Sequence, residues 1–213
     1  MGKRKFPTLY AFKPKTENQQ RMQDEFTDHH LLINGSAGTG KTGFAISLAL
    51  QKIKQNQYKQ LLILRNNCPV DDVGFLPGTM EEKMSAYSAP YAPIIYDLFQ
   101  GATNLEFLEE FGYVRFSGIA FLRGQTFDNT VILVDESENM TFQMLDTIIT
   151  RVGENSKIIF IGDEAQTDNR NSGWGRFKEV LDRMPSFRHI EFTVDDIIRS
   201  DLVAEYLRTK QKM

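Results

Sequence analysis

Short apolar runs alternate along the chain with longer stretches in which apolar residues recur at helical spacing. The runs are apolar at consecutive positions rather than at every second one. This pattern is typical of central strands in a parallel sheet whose two faces are both covered. We therefore predict six strands, at residues 30–34, 60–64, 114–117, 130–134, 158–161 and 189–192.

Helical patterns fill the stretches between these runs. In residues 140–152 one helical face is formed by Met144, Leu145, Ile148, Ile149 and Val152. The other predicted helical segments are 42–55, 81–100 (interrupted by prolines), 175–183 and 195–209. Because strands and helices alternate and no linker divides them, we predict a single α/β domain. Its sheet should be mostly parallel, with helices on both faces.

Composition narrows the class of protein further. The 213 residues suffice for one large domain, and no apolar run approaches the ~20 residues of a membrane-spanning helix. A single cysteine, Cys68, allows no internal disulfide, and the N-terminal residues lack the apolar segment of a signal peptide. We therefore expect no membrane partner and a cytoplasmic location.

Charge is unevenly distributed along the chain. The net charge is −3, yet the charged side chains of residues 1–15 are all basic, namely Lys3, Arg4, Lys5, Lys13 and Lys15. We therefore divide the chain into a basic N-terminal arm, 1–15, and a domain over 16–213. A basic arm on an acidic body is compatible with nucleic-acid contact, and it is equally compatible with a solvated terminus.

One motif carries the strongest chemical signal. It follows the first predicted strand, precedes an amphipathic helix, and reads Gly35-Ser36-Ala37-Gly38-Thr39-Gly40-Lys41-Thr42. This is the complete G-x-x-x-x-G-K-[ST] pattern, in which glycines let successive N–H groups surround a phosphate. We expect Lys41 to reach the β- and γ-phosphates and Thr42 to bind Mg²⁺ through its hydroxyl. A plain glycine-rich turn would require neither residue.

Two acids end the fourth predicted strand. Asp135 and Glu136 directly follow the apolar run 131–134. A phosphoryl-transfer site needs an acid for Mg²⁺, and we expect it at the carboxyl end of a strand neighbouring the phosphate loop. We assign Asp135 to the metal, and Glu136 to orienting or deprotonating the attacking water. Taken alone, the two acids could equally be solvent-exposed residues at a strand end.

The fifth predicted strand also ends in polar residues, in the sequence Gly162-Asp163-Glu164-Ala165-Gln166. Polar groups at the carboxyl edge of a parallel sheet face the ligand crevice. Gln166 could donate a hydrogen bond to a γ-phosphate oxygen and so sense its loss. A capped turn with Asp163 as N-cap explains Asp163 but not Gln166.

Together these motifs resemble the first RecA-like lobe of superfamily-one helicases and, more closely, the PhoH family of ATPases. The family often has glutamine where this chain has Glu138. Further elements that carry the resemblance are residues 16–19, 74–78, 82–83, 122–126, 135–139, 143–144, 150–153, 172–173 and 196–199. The resemblance implies a single RecA-like P-loop NTPase domain that uses ATP and Mg²⁺.

The resemblance also implies site residues and partners. Gln19 becomes the candidate reader of the adenine edge, and Arg199 and Arg170, followed by Arg123, become candidates for the arginine that stabilises the γ-phosphate. Full helicases take this arginine from a second lobe. In this chain it must come from the same lobe, come from a neighbouring subunit, or be missing, and we predict a homo-oligomer such as a ring. RNA or single-stranded DNA is the implied macromolecular partner.

Two functions of different classes remain open from sequence. One is a Mg²⁺-dependent ATPase coupled to binding or remodelling of RNA or single-stranded DNA; the other is an ATP-dependent switch that acts on a protein partner without unwinding. A small-molecule kinase is less favoured because no arginine-rich lid is evident. Phe75, Phe121 and Phe127 could stack on bases, although a place in the core or in a lid is favoured for Phe121 because apolar aromatic residues are more often buried.

Overall fold

The computed structural model of the protein describes residues 6–65 and 87–211. Within these ranges one sheet contains six parallel strands in the order β3-β2-β4-β5-β1-β6. The strands are β1 His30–Gly35, β2 Gln60–Arg65, β3 Val114–Phe116, β4 Thr130–Asp135, β5 Lys157–Gly162 and β6 Phe187–Phe192. Each predicted strand is confirmed, with ends that differ by at most two residues.

Seven α-helices accompany the strands in the described ranges. They are α1 Glu17–Glu25, α2 Lys41–Lys54, α3 Ala92–Phe99, α4 Leu105–Glu110, α5 Phe142–Ile149, α6 Trp174–Leu181 and α7 Asp201–Gln211. The predictions of α2, α5 and α6 are confirmed, and α3 is the end of the predicted segment 81–100. Residues 66–86, with Cys68, Phe75 and the motifs at 74–78 and 82–83, lie outside the described residues.

The helices differ from the sequence prediction at three places. Neither α1 nor α4 follows from the apolar pattern; each begins at a capping side chain, Thr16 or Asn104, that accepts a main-chain N–H bond. The predicted helical segment 195–209 is confirmed over 201–209, which lie in α7, and is wrong as an α-helix before residue 201. A 3₁₀ turn, Val194–Asp196, is closed by a capping box from Thr193, and the chain then runs non-helically until α7 begins.

Both faces of the sheet are covered by helices, as the consecutive apolar residues predict. Along β1, Leu31 and Ile33 belong to a core with α1, α2 and α3, whereas Leu32 belongs to a second core with α5 and α6. Successive side chains of a strand point to opposite faces. A strand between two helical layers therefore needs apolar residues at every position.

Phe121 and Phe127 differ from each other in burial. Phe127 is buried in the second core, whereas Phe121 is 46% exposed, so the core position expected for Phe121 is wrong. Phe121 lies in a 3₁₀ segment, Ile119–Leu122, whose first and last residues supply the buried positions. The exposed aromatic ring is thereby left at the surface.

The N-terminal residues in the described range lie against the domain. Leu9 is buried, the Tyr10 N–H donates to the Leu98 carbonyl at 2.8 Å, and the Phe12 N–H donates to Ser47 Oγ at 2.9 Å. Residues 9–12 of the basic arm are therefore held against α2 and α3. Across the described ranges, no helix combines the length and apolar character needed to cross a membrane.

Candidate active site

The phosphate loop joins the end of β1 to the start of α2 at the carboxyl edge of the sheet. Its conformation requires glycine at position 35: the φ of Gly35 is +127°, and a Cβ there would lie 1.9 Å from the carbonyl oxygen of Phe192. Thr39 closes the loop by donating its hydroxyl proton to the Ser36 carbonyl at 2.9 Å. Parallel strands, the loop and the helix N-terminus thus have the arrangement in which proteins bind anions.

Lys41 is buried in this loop. Its ammonium group donates to the main-chain carbonyls of Gly35 and Ser36, each at 2.6 Å. Burial lowers the pKa of Lys41 from its ordinary value, and the carboxylates of Asp163 and Asp135 oppose that effect. A cation held by neutral carbonyls can exchange these acceptors for phosphate oxygens, which form stronger charge-assisted bonds.

Thr42 and Asp135 meet at the first turn of α2. The Thr42 hydroxyl donates to Asp135 Oδ1 at 3.1 Å, and the Tyr91 hydroxyl donates to the other carboxylate oxygen at 3.2 Å. Burial raises the pKa of Asp135, and the hydrogen bond from Thr42 works against this rise. Hydroxyl and carboxylate oxygens are the hard ligands that Mg²⁺ prefers, so these two residues fit the predicted metal.

The strand arrangement behind this contact differs from the expectation. We expected the acid on a strand neighbouring β1, but β5 lies between β1 and β4. Thr42 lies in the first turn of α2, within hydrogen-bond distance of Asp135 at the end of β4. The carboxyl ends of parallel strands share one edge, so an intervening strand does not separate the two residues.

Glu136 follows Asp135 in a left-handed backbone conformation, with φ 53° and ψ 40°. Non-glycine residues adopt this region uncommonly, and those that do cluster at functional sites as well as at turns. Its carboxylate forms an ion pair with the guanidinium of Arg65, the last residue of β2. The hydrogen bond with Glu136 is the main cause that raises the pKa of Arg65 above its ordinary value.

Glu138 and Gln166 connect the β4 and β5 ends. Glu138 is 5% exposed, and its Oε2 accepts the Asp163 N–H at 3.1 Å. Asp163 in turn caps a 3₁₀ turn, Glu164–Gln166, through the Ala165 N–H and also accepts a hydrogen bond from the Gln166 side-chain amide. Gln166 therefore lies at the site edge, held by the carboxylate that caps its own turn.

Gln19 lies behind the phosphate loop. It is buried, its amide nitrogen donates to the Thr39 carbonyl at 3.0 Å, and its amide oxygen accepts the Lys15 N–H at 2.9 Å. In this arrangement Gln19 supports the loop, and both ends of its amide are engaged by main chain. Its assignment as the adenine reader stays a prediction.

The candidate arginines occupy different places. Arg199 lies across the phosphate loop: the Ile198 N–H donates to the Gly38 carbonyl at 3.2 Å, and a Cβ on Gly38 would lie 3.1 Å from Arg199 Cγ. Arg170 is exposed and is not among the residues that line the phosphate-loop cavity. Arg123 lines a separate groove beside α5. Of the three, Arg199 alone lines the phosphate-loop cavity.

A buried carboxylate holds the segment that carries Arg199. Asp196 is 5% exposed and accepts hydrogen bonds from the side-chain amide of Asn18 at 2.8 Å and from the Thr193 N–H at 2.9 Å. Asn18 also donates to the Glu191 carbonyl. The 16–19 and 196–199 elements, far apart in sequence, thus form one support beneath the phosphate loop.

The phosphate loop and the carboxyl ends of β4 and β5 surround a cavity of about 380 Å³, of a size that suits a small-molecule ligand. Of the predicted site residues, it is lined by Ala37, Gly38, Gly40, Lys41, Thr42, Asp135, Glu136, Gln166 and Arg199. Sequence reasoning did not identify Tyr91, Glu138 or the Arg65–Glu136 pair as parts of the site. The sequence did give an indication for Glu138, because the family that the chain resembles often has glutamine at this position.

The chain is similar to several known proteins. The family profile described as PhoH-like protein matches residues 11–210. The PhoH-like protein of Bacillus subtilis (strain 168) is 33% identical over 207 residues, which are 95% of this chain and 65% of that protein. The PhoH-like protein of Mycobacterium tuberculosis (strain ATCC 25618 / H37Rv) is 30% identical over 200 residues, 92% of this chain and 56% of that protein. The chain thus spans less than two thirds of the length of these relatives.

Solved structures share the fold at lower identity. The large terminase from a thermophilic bacteriophage matches with a TM-score of 0.56 and 14% identity, over 92% of this chain and 50% of that one. Its complex with ADP matches with a TM-score of 0.54. The α/β fold with a phosphate loop at the sheet edge is therefore that of a P-loop NTPase. Given the profile match over residues 11–210, the chain belongs to the PhoH family.

Proposed function

We propose that this protein binds and hydrolyses ATP with Mg²⁺. The observation that carries the proposal is the convergence of three features on one cavity. These are the complete phosphate loop, the contact between Thr42 and Asp135, and the carboxylate of Glu136. A phosphate-binding loop supplies the anion site, a hydroxyl–carboxylate pair suits a hard cation, and a second carboxylate beside it can act on water.

Each side chain has a role in this proposal. Lys41 binds the phosphates, and Thr42 and Asp135 would hold Mg²⁺. When bound, the ion neutralises charge on the phosphate oxygens. Glu136 orients the attacking water and accepts its proton, and Gln166 contacts the terminal phosphate. Catalysis in this proposal is positioning and electrostatic stabilisation rather than covalent chemistry.

Two substitutions test the assignment of the site. Lys41→Ala removes the phosphate cation and should abolish binding of a fluorescent ATP analogue, whereas Lys54→Ala, at the exposed end of the same helix, should not. Glu136→Gln should keep binding and lower kcat by about 10²–10⁴-fold, the usual contribution of a general base. Normal turnover by Glu136→Gln, measured as phosphate release, would show that the assignment of the base is wrong.

We further propose that RNA or single-stranded DNA couples to this ATPase. Family membership supports this, and so does a surface groove lined by Arg123 and Gln143 near the exposed ring of Phe121. Exposed aromatic and arginine side chains are the usual platform for single strands. ATP turnover should rise when poly(U) or poly(dT) is added. Turnover that does not respond would favour the alternative, a switch acting on a protein partner.

The role of Arg199 bears on whether a homo-oligomer is needed to complete the site. Because Arg199 lines the cavity of its own chain, we propose that it stabilises the γ-phosphate in cis. A homo-oligomer is then not needed to complete the site, but it is still proposed. It is supported by the surface of α7, where Leu202 is 76% and Tyr206 63% exposed. The mass in solution, measured by light scattering with and without ATP, tests the assembly.

A further inference from the structure

The ion pair between Arg65 and Glu136 joins the proposed base to a different strand. Arg65 ends β2 and is in register with Asp135 of β4, so its side chain lies beside the turn that carries Glu136. The pair is half-buried, with 27% of the Arg65 side chain and 38% of the Glu136 side chain exposed. Both ends are therefore partly shielded and still reachable from solvent.

The main chain on both sides of the pair is held in place. The Arg65 N–H donates to the hydroxyl of Tyr87 at 2.5 Å, and that hydroxyl donates to the Arg65 carbonyl at 3.1 Å. Tyr87 itself is buried and packs edge-on against Phe116. The Glu136 N–H donates to its neighbour Asp135 at 3.2 Å. Exchange of partners at this pair thus requires side-chain rotation only.

The pairing has a direct chemical consequence for Glu136. A carboxylate that accepts a water proton needs a free oxygen that faces the water. The guanidinium of Arg65 occupies one oxygen of Glu136 and directs the carboxylate towards the end of β2. In the paired arrangement that oxygen is not available to a water, and turnover requires Glu136 to leave Arg65.

A phosphodiester is the chemical group that would compete for Arg65. The planar guanidinium binds phosphate with two parallel N–H bonds, as it does carboxylate. Because 27% of the Arg65 side chain is exposed at the carboxyl edge of the sheet, a strand of nucleic acid that crosses this edge can reach it. Such a contact would remove the partner that holds Glu136.

We propose that Arg65 is a positioning residue that restrains Glu136, and that a nucleic-acid phosphodiester bound by Arg65 releases Glu136 for catalysis. This inference rests on the proposed ATPase function. It assigns to one ion pair the coupling between nucleic-acid binding and hydrolysis. Free phosphate and polyphosphate carry the same anionic groups, so they are the competing candidates for the ligand that binds Arg65.

The test measures kcat at saturating Mg·ATP for wild type, Arg65→Gln and Arg65→Lys, with and without poly(U) or poly(dT). Loss of the restraint should raise the basal kcat of Arg65→Gln about tenfold, the factor that corresponds to about 1.4 kcal/mol in the barrier. Stimulation by nucleic acid should fall towards none. Arg65→Lys keeps the positive charge but lacks the two parallel N–H donors of a guanidinium. Its basal kcat and its stimulation should therefore lie between those of wild type and Arg65→Gln.

Salt provides a readout that a merely structural role would not change. Added NaCl weakens a half-exposed ion pair, so the basal kcat of wild type should rise with salt while that of Arg65→Gln stays constant. Arg115→Gln, which removes an exposed arginine from the adjacent strand β3, is the matched control and should behave as wild type does. Thermal unfolding of each variant confirms that it is folded.

Several results would overturn the inference. A basal kcat of Arg65→Gln at or below that of wild type, with stimulation intact, would mean that Arg65 does not restrain Glu136. Stimulation by polyphosphate but not by poly(U) or poly(dT) would exclude nucleic acid as the releasing group. Wild type that turns over no faster than Glu136→Gln would refute the ATPase function and this inference with it, whereas an active wild type unaffected at Arg65 refutes the inference alone.

Discussion

The substitution Glu138→Gln tests how the titration of one buried carboxylate of the site affects the stability of the protein. Glu138 is 5% exposed and accepts the Asp163 N–H at 3.1 Å. Burial raises its pKa to about 7; main-chain hydrogen bonds oppose the rise, and the charges of Glu136 and Asp135 add to it. Lys41 is the cation that faces this group. Glutamine has nearly the same shape and keeps an acceptor for Asp163, so the substitution removes little besides the titration.

The magnitude follows from the difference between the folded and unfolded pKa. With a value of about 7 in the folded chain and 4.5 for a solvated glutamate, the folded state binds a proton that the unfolded state lacks throughout this window. The free energy of unfolding therefore falls as the pH rises from about 4.5 to about 7, by at most about 3 kcal/mol. Above that window the contribution of Glu138 no longer changes.

The assay compares free energies of unfolding from urea titrations at about pH 5 and about pH 8. Without nucleotide or Mg²⁺, Glu138→Gln should gain stability relative to wild type as the pH rises, by about 1–3 kcal/mol. Glu179→Gln, on the exposed side of α6, is the control and should follow the wild-type profile. A difference between Glu138→Gln and wild type that is constant in pH, or that changes in the opposite direction, would refute the reasoning.

Two further predictions concern a glycine of the phosphate loop and the arginine that lies across the loop. Gly35→Ala places a Cβ 1.9 Å from the Phe192 carbonyl oxygen and should lower the free energy of unfolding by more than about 4 kcal/mol, measured by urea titration. Gly112→Ala, also at positive φ but with no atom within 4 Å, should cost only about 1–2 kcal/mol; equal losses would contradict the argument. Arg199→Ala should lower kcat at least about 10²-fold, and mixing it with Lys41→Ala should restore no phosphate release. Recovery in the mixture would show that the arginine acts between subunits.

Features that depend on neighbouring residues in the chain are the ones sequence could predict. The six strands follow from consecutive apolar residues, and the phosphate loop follows from a motif whose glycines and lysine act within eight positions. The assignment of Asp135 rests equally on the apolar run before it. By contrast, α1 is largely polar and lacks an apolar stripe; it is held by its Thr16 cap and by the burial of Met22. A prediction based on apolar period therefore overlooks it.

The order of the strands was decided by tertiary structure alone. Apolar runs identify strands but do not encode which ones pair, so the placement of β5 between β1 and β4 could not be read from the chain. The same order sets the contact between Arg65 and Glu136, which joins residues 71 positions apart. Likewise, the sequence placed Arg199 and Arg170 level as candidates, ahead of Arg123. Only the fold, through the hydrogen bonds of Asp196 beneath the loop, brings Arg199 to the phosphate-loop cavity, because long-range contacts depend on packing that no local pattern records.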